Sequence, residues 1–431
     1  MSWRPADRKS VSHGARRPDL TSQRYGADGL RAPATRTVSS PSRDGEGRAT
    51  PVPGPPTSPF TLNRRSLFAH TPTHRTLERP YPMPPHISVI CPTYNRGKAI
   101  LSTLESVRAQ TMRDWEMLVV SDASDDDTDA VVASLAARDR RIRLLRTRRF
   151  GSQSGPTNIA LGEAAGEFVA YLDHDDHWEP DHLLRLREAF DDGARFVATR
   201  ARKATAAGTV TGTAHPLSLC WHPDIQLMSP LFENSCAGHV AGLAQQVGGW
   251  RESPVGLEDW DLWLRFADAG ERCTTLLDRT VTLLDDPGTR THSLERRFTH
   301  EIARFDDALS ARAAYRALAD ARNQERELRA VREDLLAWYG SLADSGELVL
   351  PRGWRGGTAA LEAAVESQIR ENGTVWKGLA LVPRDTYVSL CVPLSTMTAE
   401  HADRYTRYFR ATMHHQMAYL EDVLPHGSVR R

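Results

Sequence analysis

Short apolar runs alternate with amphipathic stretches along residues 87–190 of the chain. The apolar runs have the length of buried strands and cover residues 87–91, 115–120, 142–145 and 168–172. Between and after them, apolar positions at helical spacing predict helices over residues 98–110, 128–137, 156–165 and 180–190. Strands that alternate with helices are joined by right-handed crossovers. The pattern therefore predicts an α/β fold, with a mostly parallel sheet flanked by helices.

The segment that precedes this pattern has a different character. Residues 1–82 are rich in Pro, Ser, Thr, Arg and Gly and show little apolar periodicity, so we predict a disordered tail. An alternative is that translation begins at Met83, directly before the first strand. The predicted parts of the chain are this tail, an α/β domain and a mainly helical C-terminal region, over residues 1–82, 83–293 and 294–431.

The C-terminal region begins with apolar residues at spacings of three and four. This spacing, which starts at Leu294, predicts a long amphipathic helical stretch to about residue 342. A hairpin is expected to pair residues 375–382 with 387–393, and a last helix is expected over about residues 399–424. The role of the region is open between an acceptor-binding lid, an arm that forms a homodimer and a separate domain.

The composition narrows the class of protein further. Of the 431 residues, 40% are hydrophobic, and the formal net charge of +0 gives no reason to expect nucleic-acid binding. No apolar run reaches the ~18–20 residues that a transmembrane helix needs, and the N-terminus lacks the apolar core of a signal peptide. The five cysteines are widely spaced and form no Cys-x-x-Cys pair. We therefore expect reduced thiols in a cytoplasmic protein without a transmembrane segment.

Three polar clusters follow predicted strands, at the edge where open parallel sheets bind their ligands. Each cluster alone is typical of a solvated turn, whereas three clusters at one sheet edge predict a binding site. The clusters are Pro92-Thr93-Tyr94-Asn95-Arg96, Ser121-Asp122-Ala123-Ser124-Asp125 and Asp173-His174-Asp175-Asp176.

The third cluster has the chemistry of a cation site. Asp173 and Asp175 are one residue apart at a strand end, and their carboxylates repel each other unless a cation lies between them. Hard oxygen ligands suit Mg²⁺ or Mn²⁺, which would neutralise charge on a departing diphosphate. Asp176 is expected to cap the helix that starts near Pro180. His174 is expected to be a spacer whose side chain points away from the site.

In order and spacing, these motifs resemble family 2 glycosyltransferases with the GT-A fold. The resemblance implies that residues 83–293 form a catalytic domain that binds a nucleotide-diphospho-sugar. Asp122 would hydrogen-bond the base, typically uracil, while Asp173 would reach the ribose or the metal and Asp175 the metal. The full set of implied nucleotide-binding residues is Pro92, Thr93, Tyr94, Asn95, Asp122, Asn158, Asp173 and, through its backbone, His174.

The sequence departs from the family pattern in two places. Ser121 stands where the family usually has an acid, and Pro156-Thr157 precede Asn158 where an arginine is common. The second departure weakens any expectation that this helix holds the diphosphate.

The acceptor half of the family is also matched, by Gly248-Gly249-Trp250 and by Glu258-Asp259. Inverting sugar transfer needs one general base and no nucleophile from the protein. We expect Asp259 to be that base, with Glu258 as the alternative, whereas the competing interpretation makes both of them favourable first-turn acids of a helix. His292 is expected, by the resemblance, to approach the metal or the diphosphate, although a surface histidine is equally typical of this place.

Several tryptophans lie close to these motifs. Trp178 and Trp260 either stack on a sugar ring or fill the core, and Trp263 is expected in the core.

These features predict an inverting, metal-assisted glycosyltransferase that moves a single sugar from a UDP-sugar to a hydroxyl or amine acceptor. The acceptor is open between a small metabolite, a peptide and an envelope glycan. Processive synthases of the family carry membrane helices and a Gln-x-x-Arg-Trp motif, and neither occurs here. A nucleotidyltransferase is disfavoured, because the loop after the first strand lacks a Gly-rich phosphate-binding pattern. A non-catalytic sugar-nucleotide-binding or interaction module remains the alternative.

Overall fold

The structure is a computed structural model that describes most of the chain beyond residue 84. Its described residues are 85–205, 207–228, 231–252, 257–284, 298–318, 320–372, 381–384, 387–392, 399–424 and 428–429. The predicted tail, the alternative start at Met83, His292 and residues 375–380 of the predicted hairpin lie outside the described residues.

A nine-stranded sheet forms the centre of the first half of the structure. Its strands are β1 (Ile87–Thr93), β2 (Trp115–Ser121), β3 (Ile142–Arg146), β4 (Phe168–Tyr171), β5 (His177–Trp178), β6 (Phe196–Ala204), β7 (Val210–Thr213), β8 (Ala237–Val240) and β9 (Cys273–Leu284). Their order is β3-β2-β1-β4-β8-β6-β9-β5, with β7 paired to β6. The pairs β1–β2, β1–β4, β2–β3 and β6–β9 are parallel, whereas β8 lies antiparallel between β4 and β6.

Seven helices accompany this sheet in the described ranges. They are α1 (Ile100–Arg108), α2 (Thr128–Ala136), α3 (Ser154–Glu163), α4 (His182–Asp191), α5 (Pro223–Met228), α6 (Leu243–Gln246) and α7 (Glu258–Asp268). The four strands and four helices predicted between residues 87 and 190 are all present, each within two residues of its predicted bounds. The predicted α/β fold with flanking helices is confirmed. Every residue of β1 and β2 is buried, which explains why these strands are continuous apolar runs without alternation.

The C-terminal region is mainly helical, as predicted, and carries a small second sheet. Its elements are β10 (Phe298–Arg304), α8 (Ala308–Leu318), α9 (Ala321–Asp344), α10 (Gly357–Asn372), β11 (Leu381–Arg384), β12 (Tyr387–Val392), α11 (Ala399–Thr412), α12 (His414–Val423) and β13 (Ser428–Val429). In the described part of the predicted hairpin, β11 pairs antiparallel with β12. The sheet has the order β11-β12-β10-β13.

Two predictions for this region are wrong. Residues 298–304 form strand β10 where their spacing predicts a helix, because β12 supplies antiparallel backbone partners from Phe298↔Val392 to Arg304↔Tyr387. A distant strand can override a local period in so short a segment. The last predicted helix is divided into α11 and α12 at Met413.

The division at Met413 coincides with a cap donated by another helix. The carboxylate of Asp334, on α9, accepts hydrogen bonds from the backbone N–H groups of His415 and Gln416 at 2.9 Å each. It also lies 2.9 Å from His415 Nδ1 and 3.2 Å from Gln416 Nε2. Because these backbone groups lie in the first turn of α12, Asp334 supplies partners that the helix itself cannot offer them.

The C-terminal region packs against the first half of the structure. Trp221 and Val349 exchange two backbone hydrogen bonds of 2.9 Å, and the Arg352 N–H donates to the Thr275 carbonyl at 2.8 Å. None of the described helices is both long enough and apolar enough to cross a membrane. Four free cysteines are buried in the described residues, at positions 91, 220, 236 and 273.

We predict that Asp334→Asn lowers the free energy of unfolding by about 2 kcal/mol, since hydrogen bonds to charged groups contribute about 1.5–3 kcal/mol. The Asn amide has one acceptor oxygen, and its NH₂ group would face the N–H donors of α12. Urea denaturation measures the loss. The matched control is Asp320→Asn, because exposed Asp320 caps α9 through one bond to the Arg322 N–H and Asn caps equally well. Equal losses in the two variants would contradict the prediction.

Candidate active site

Side-chain hydrogen bonds join the loops that follow β1 and β2. Asn95 has a φ of +48°, in the left-handed region that asparagine tolerates better than most residues. Its Nδ2 donates to Asp125 Oδ1 at 2.5 Å, and the Asp125 N–H donates back to Asn95 Oδ1 at 3.0 Å. The first two predicted polar clusters therefore form one continuous surface.

Asp122 is a buried carboxylate that holds the loop after β3. Its oxygens accept from the Phe150 N–H at 2.6 Å, from the Gly151 N–H at 2.9 Å and from the guanidinium of Arg149. The same guanidinium stacks on the ring of Tyr94, 3.4 Å from the ring centroid. Asp122, expected to bind the base, and Tyr94, expected to line the nucleotide pocket, thus share Arg149 as a partner, a residue that the motifs do not include.

The acidic loop after β4 has partners on both sides. On one side, Asn234 Nδ2 donates to Asp173 Oδ1 at 2.9 Å. On the other, the Arg96 guanidinium lies 3.6 Å from Asp175 Oδ2. The prediction that the His174 side chain points away from the site is wrong, because Arg96 Nε donates to His174 Nε2 at 2.7 Å. This imidazole ties the acidic loop to the loop after β1.

Asp176 is not the cap of the following helix, which corrects the sequence prediction. Helix α4 begins at His182, and the buried carboxylate of Asp176 instead accepts from Ser235 Oγ at 2.6 Å and from the Leu284 N–H at 3.3 Å. These donors belong to the turn before β8 and to the end of β9. Their approach depends on the sheet order, which the local sequence around Asp176 does not contain.

The Glu-Asp motif lies in the first turn of α7, as predicted. Leu257 precedes the helix with a φ of +67°, a strained conformation for a leucine. Glu258 is buried, with its Oε2 3.4 Å from Gln153 Nε2, and Asp259 Oδ1 accepts from the Trp260 N–H at 2.8 Å. The motif thus connects the start of α7 to the start of α3.

The carboxylates of the two halves influence one another. Burial raises the pKa of Asp173 to about 7, and Asp175, Glu233 and Glu258 add to the increase. Burial also raises the pKa of Asp259 well above its ordinary value, with further contributions from Glu233, Asp173 and Glu258. Asp173 at the end of β4 and Asp259 on α7 therefore belong to one cluster of like charges, which we call the acid cluster: Asp173, Asp175, Glu233, Glu258 and Asp259.

Asp173 and Asp175 supply oxygen ligands of the kind that Mn²⁺ and Mg²⁺ prefer. In the ranges that the structure describes, no three acidic, histidine or cysteine side chains converge on a metal position. Two carboxylates are also the kind of donor set with which Mg²⁺ is usually bound in proteins, where water and phosphate oxygens supply its other ligands. The metal role expected for His292 stays a prediction outside the described residues.

Asn158 binds the Gly-Gly-aromatic turn. Its Nδ2 donates to the Trp250 carbonyl at 2.8 Å, and its Oδ1 accepts from the Trp250 N–H at 2.9 Å. Gly249 is required beside it, since a Cβ there would lie 2.7 Å from Asn158 Oδ1. These contacts give Asn158 a structural role, and its expected contact with a nucleotide stays a prediction.

The tryptophans near the motifs belong to the core. Trp178 is 4% exposed and donates through Nε1 to the Ser235 carbonyl, while Trp260 is 1% exposed and donates to the Gln226 carbonyl. Trp263 is buried, as predicted. Of the two interpretations of Trp178 and Trp260, the structure supports core packing.

Part of the chain matches a known protein family. Residues 88–247 match the family model described as "Glycosyl transferase family 2". This segment belongs to glycosyl transferase family 2. The family 2 segment runs from β1 to the turn before Gly248 and so includes both the acidic loop after β4 and Glu233.

Curated relatives resemble parts of this chain. It is 34% identical over 189 residues to an uncharacterized protein of Sinorhizobium fredii, which covers 42% of this chain and 20% of the relative. It is 36% identical over 114 residues to the Campylobacter jejuni GalNAc(5)-diNAcBac-PP-undecaprenol β-1,3-glucosyltransferase (26% and 37%). It is 40% identical over 97 residues to an Escherichia coli UDP-Glc:α-D-GlcNAc-diphosphoundecaprenol β-1,3-glucosyltransferase (22% and 38%). The matches thus span about a fifth to two fifths of these relatives' own length.

Solved structures show a weaker likeness. Staphylococcus aureus TarS 1–349 in complex with UDP-GlcNAc has a TM-score of 0.42 at 21% identity, covering 55% of this chain and 67% of that one. A mannosyltransferase of Pyrobaculum calidifontis in complex with GDP-Man and Mn²⁺ has a TM-score of 0.39 at 18% identity, covering 80% and 90%.

We predict that Asp173 and Asp139 respond oppositely to pH in protein free of metal and nucleotide. Because the pKa of Asp173 is raised to about 7, its ionisation destabilises the fold progressively from about pH 4 to pH 7. Asp173→Asn should therefore unfold at a higher urea concentration than wild type at pH 7.5 and at a similar one at pH 4. Arg141 lowers the pKa of Asp139 to about 2, so Asp139→Asn should lose stability at pH 7.5. A less stable Asp173→Asn at pH 7.5 would contradict this account.

Proposed function

We propose that this chain is an inverting glycosyltransferase that moves a single sugar from a UDP-sugar to a hydroxyl or amine acceptor. The observation that carries the proposal is the acid cluster. It brings the carboxylates that end β4 together with the carboxylate at the start of α7. A donor site and a base on the acceptor side would then lie on opposite sides of one reaction centre.

The donor side is formed by the loops after β1, β2 and β4. Tyr94 offers an aromatic face and Asp122 a buried hydrogen-bond acceptor, which suit a uracil ring with its N–H donor. Asp173 and Asp175 would hold Mn²⁺ or Mg²⁺, which neutralises charge on the diphosphate when bound. Burial and, after it, the neighbouring carboxylates raise the pKa of Asp173, and a cation beside this carboxylate would favour its charged form, which supports the assignment.

The acceptor side depends on Asp259. The acceptor oxygen or nitrogen attacks the anomeric carbon, the bond from that carbon to the phosphate oxygen breaks, and UDP leaves with the electron pair. Asp259 takes the proton of the attacking group, so no protein nucleophile is needed and the configuration inverts once. A raised pKa makes Asp259 a stronger base than an ordinary aspartate, and the bond from the Trp260 N–H fixes its orientation.

Among the three acceptor classes, an envelope glycan has the most support. Two of the relatives, from Campylobacter jejuni and Escherichia coli, are glucosyltransferases whose names specify undecaprenol-diphosphate-linked sugars. A non-catalytic sugar-nucleotide-binding module remains the second candidate, and turnover of the donor is the measurement that separates the two.

We predict that Asp259→Asn lowers kcat for sugar transfer at least about a hundredfold, because general-base catalysis contributes about 10²–10⁴-fold. UDP binding should stay within about twofold of wild type, since the donor contacts are elsewhere. UDP release in a screen of UDP-sugars measures turnover, and calorimetry measures binding. The matched control is Asp268→Asn, at the other end of α7, where the carboxylate pairs with Arg404 at the surface. Unchanged turnover in Asp259→Asn would remove Asp259 as the base, and absent turnover of every UDP-sugar by wild type would favour the binding module.

We predict that Arg149→Ala tightens UDP binding about fivefold. In the free protein Arg149 stacks on Tyr94 and donates to Asp122, so the base must displace it from both contacts. A cation–π contact at an exposed site contributes about 0.5–1 kcal/mol, and an ion pair whose guanidinium remains exposed to solvent contributes about as much. The control is Arg148→Ala, because Arg148 lies over the ring of Phe150, 4.4 Å from its centroid, and outside the proposed site. Weaker UDP binding by Arg149→Ala would show instead that Arg149 contacts the bound nucleotide.

A further inference from the structure

The turn before β8 makes a dense set of hydrogen bonds to the acidic loop. Ser235 is fully buried, and its hydroxyl donates to Asp176 Oδ2 at 2.6 Å while accepting from the Asp173 N–H at 3.0 Å. The adjacent Asn234, 3% exposed, donates through Nδ2 to Asp173 Oδ1 at 2.9 Å. The Ser235 carbonyl accepts from Trp178 Nε1 at 2.8 Å, which fixes the turn to the chain just beyond the acidic loop.

The sheet explains why these residues meet across 62 positions of sequence. Strand β8 runs antiparallel to β4, with Ala170 opposite Gly238. Asp173 lies three residues after Ala170, and Ser235 lies three residues before Gly238. The register therefore carries the two loops to the same end of the strand pair, where their polar groups face each other.

The side chains of Asn234 and Ser235 are suited to holding a loop of carboxylates, because both are neutral hydrogen-bond donors. Asp173, Asp175 and Asp176 repel one another, so a loop that carries them needs donors to keep a fixed shape. A lysine or arginine at position 234 would hold Asp173 but would also neutralise it and compete with a cation. A neutral amide and a hydroxyl orient the carboxylates and leave their charge available.

We propose that Asn234 and Ser235 are positioning residues, which orient Asp173 and the loop that carries Asp175 for the cation and diphosphate of the donor. The inference rests on the proposed function. Neither residue needs to touch the transferred sugar, since each acts through a carboxylate. Loss of either side chain would weaken cation-dependent UDP binding and leave the contacts of the base at Tyr94 and Asp122 unchanged.

The test compares Ser235→Ala with a serine of the same chemistry at the other end of the sheet. Ser88 is fully buried, donates to the Glu116 carboxylate at 2.7 Å and accepts from the Gly166 N–H at 2.8 Å. Replacing either serine by alanine removes one hydroxyl, one bond to a carboxylate and one bond to a backbone N–H. The two substitutions should therefore cost similar amounts of stability in urea denaturation.

Calorimetry with UDP, in MnCl₂ and in EDTA, separates positioning from stability. Ser235→Ala and Asn234→Ala should each weaken UDP binding in Mn²⁺ about tenfold or more, the usual size of the effect when a group that orients a metal ligand is lost. Both should bind UDP in EDTA as wild type does, and Ser88→Ala should match wild type in both buffers. In turnover, the loss should appear as a higher KM for the donor and for Mn²⁺.

Three outcomes would overturn the proposal. Wild-type UDP affinity in Mn²⁺ for Asn234→Ala, which also serves if Ser235→Ala does not fold, would show that the turn does not position the carboxylates. Equal weakening in Ser88→Ala would show a general effect of lost stability. Wild-type protein that binds no UDP in either buffer would refute the proposed function itself, and the inference with it.

Discussion

Mutual repulsion among half-buried and buried carboxylates is the constraint on which the rest of this site depends. Asp173 and Asp175 follow β4 closely, and Glu233, Glu258 and Asp259 approach from other elements. Burial and the neighbouring charges raise the pKa of Asp173 and the pKa of Asp259. In the proposed function, the cation of the donor would bring positive charge that offsets this repulsion.

The protein offsets the repulsion chiefly with fixed dipoles on the side of Asp173. An amide and a hydroxyl in the turn before β8 hold the loop, whereas Arg96 approaches Asp175 from the loop after β1. This division depends on strand order. Without β8 lying antiparallel beside β4, the turn at residues 234–236 would have no route to Asp173. Strand β8 is thus as much a part of the site as the acidic motif.

The same dependence on strand order explains what the sequence reveals and what it does not. The strands, the helices and the loops up to residue 190 follow from local periodicity and from motifs within a few residues of each other. Asn234 and Ser235 have no such mark, because their partners lie about 60 residues away and are reached through antiparallel pairing. The prediction that Asp176 caps a helix is wrong for that reason, since its donors come from β9 and from the turn before β8. Strand β10 is also wrongly predicted from local sequence, because its residues have the spacing of a helix but pair with the distant strand β12.

The two ends of the proposed donor site differ in the groups that contact their carboxylates in the free protein. The carboxylate of Asp122 is buried, and a buried charge without hydrogen-bond partners would be costly. The chain supplies its own donors to Asp122, which are the Phe150 and Gly151 N–H groups and the guanidinium of Arg149. This planar guanidinium presents a flat face to Tyr94 and an N–H donor to Asp122, as a nucleotide base would. Binding of a base at that end would be an exchange, and its apparent affinity would be reduced by the stability of the contact that is replaced. At the acidic end, neutral groups of Asn234 and Ser235 hold Asp173 and its loop. A cation that binds there would therefore add positive charge without displacing a charged side chain from Asp173. The nucleotide base would therefore compete with Arg149 for Tyr94 and Asp122, whereas the diphosphate and its cation would add charges to the acidic loop.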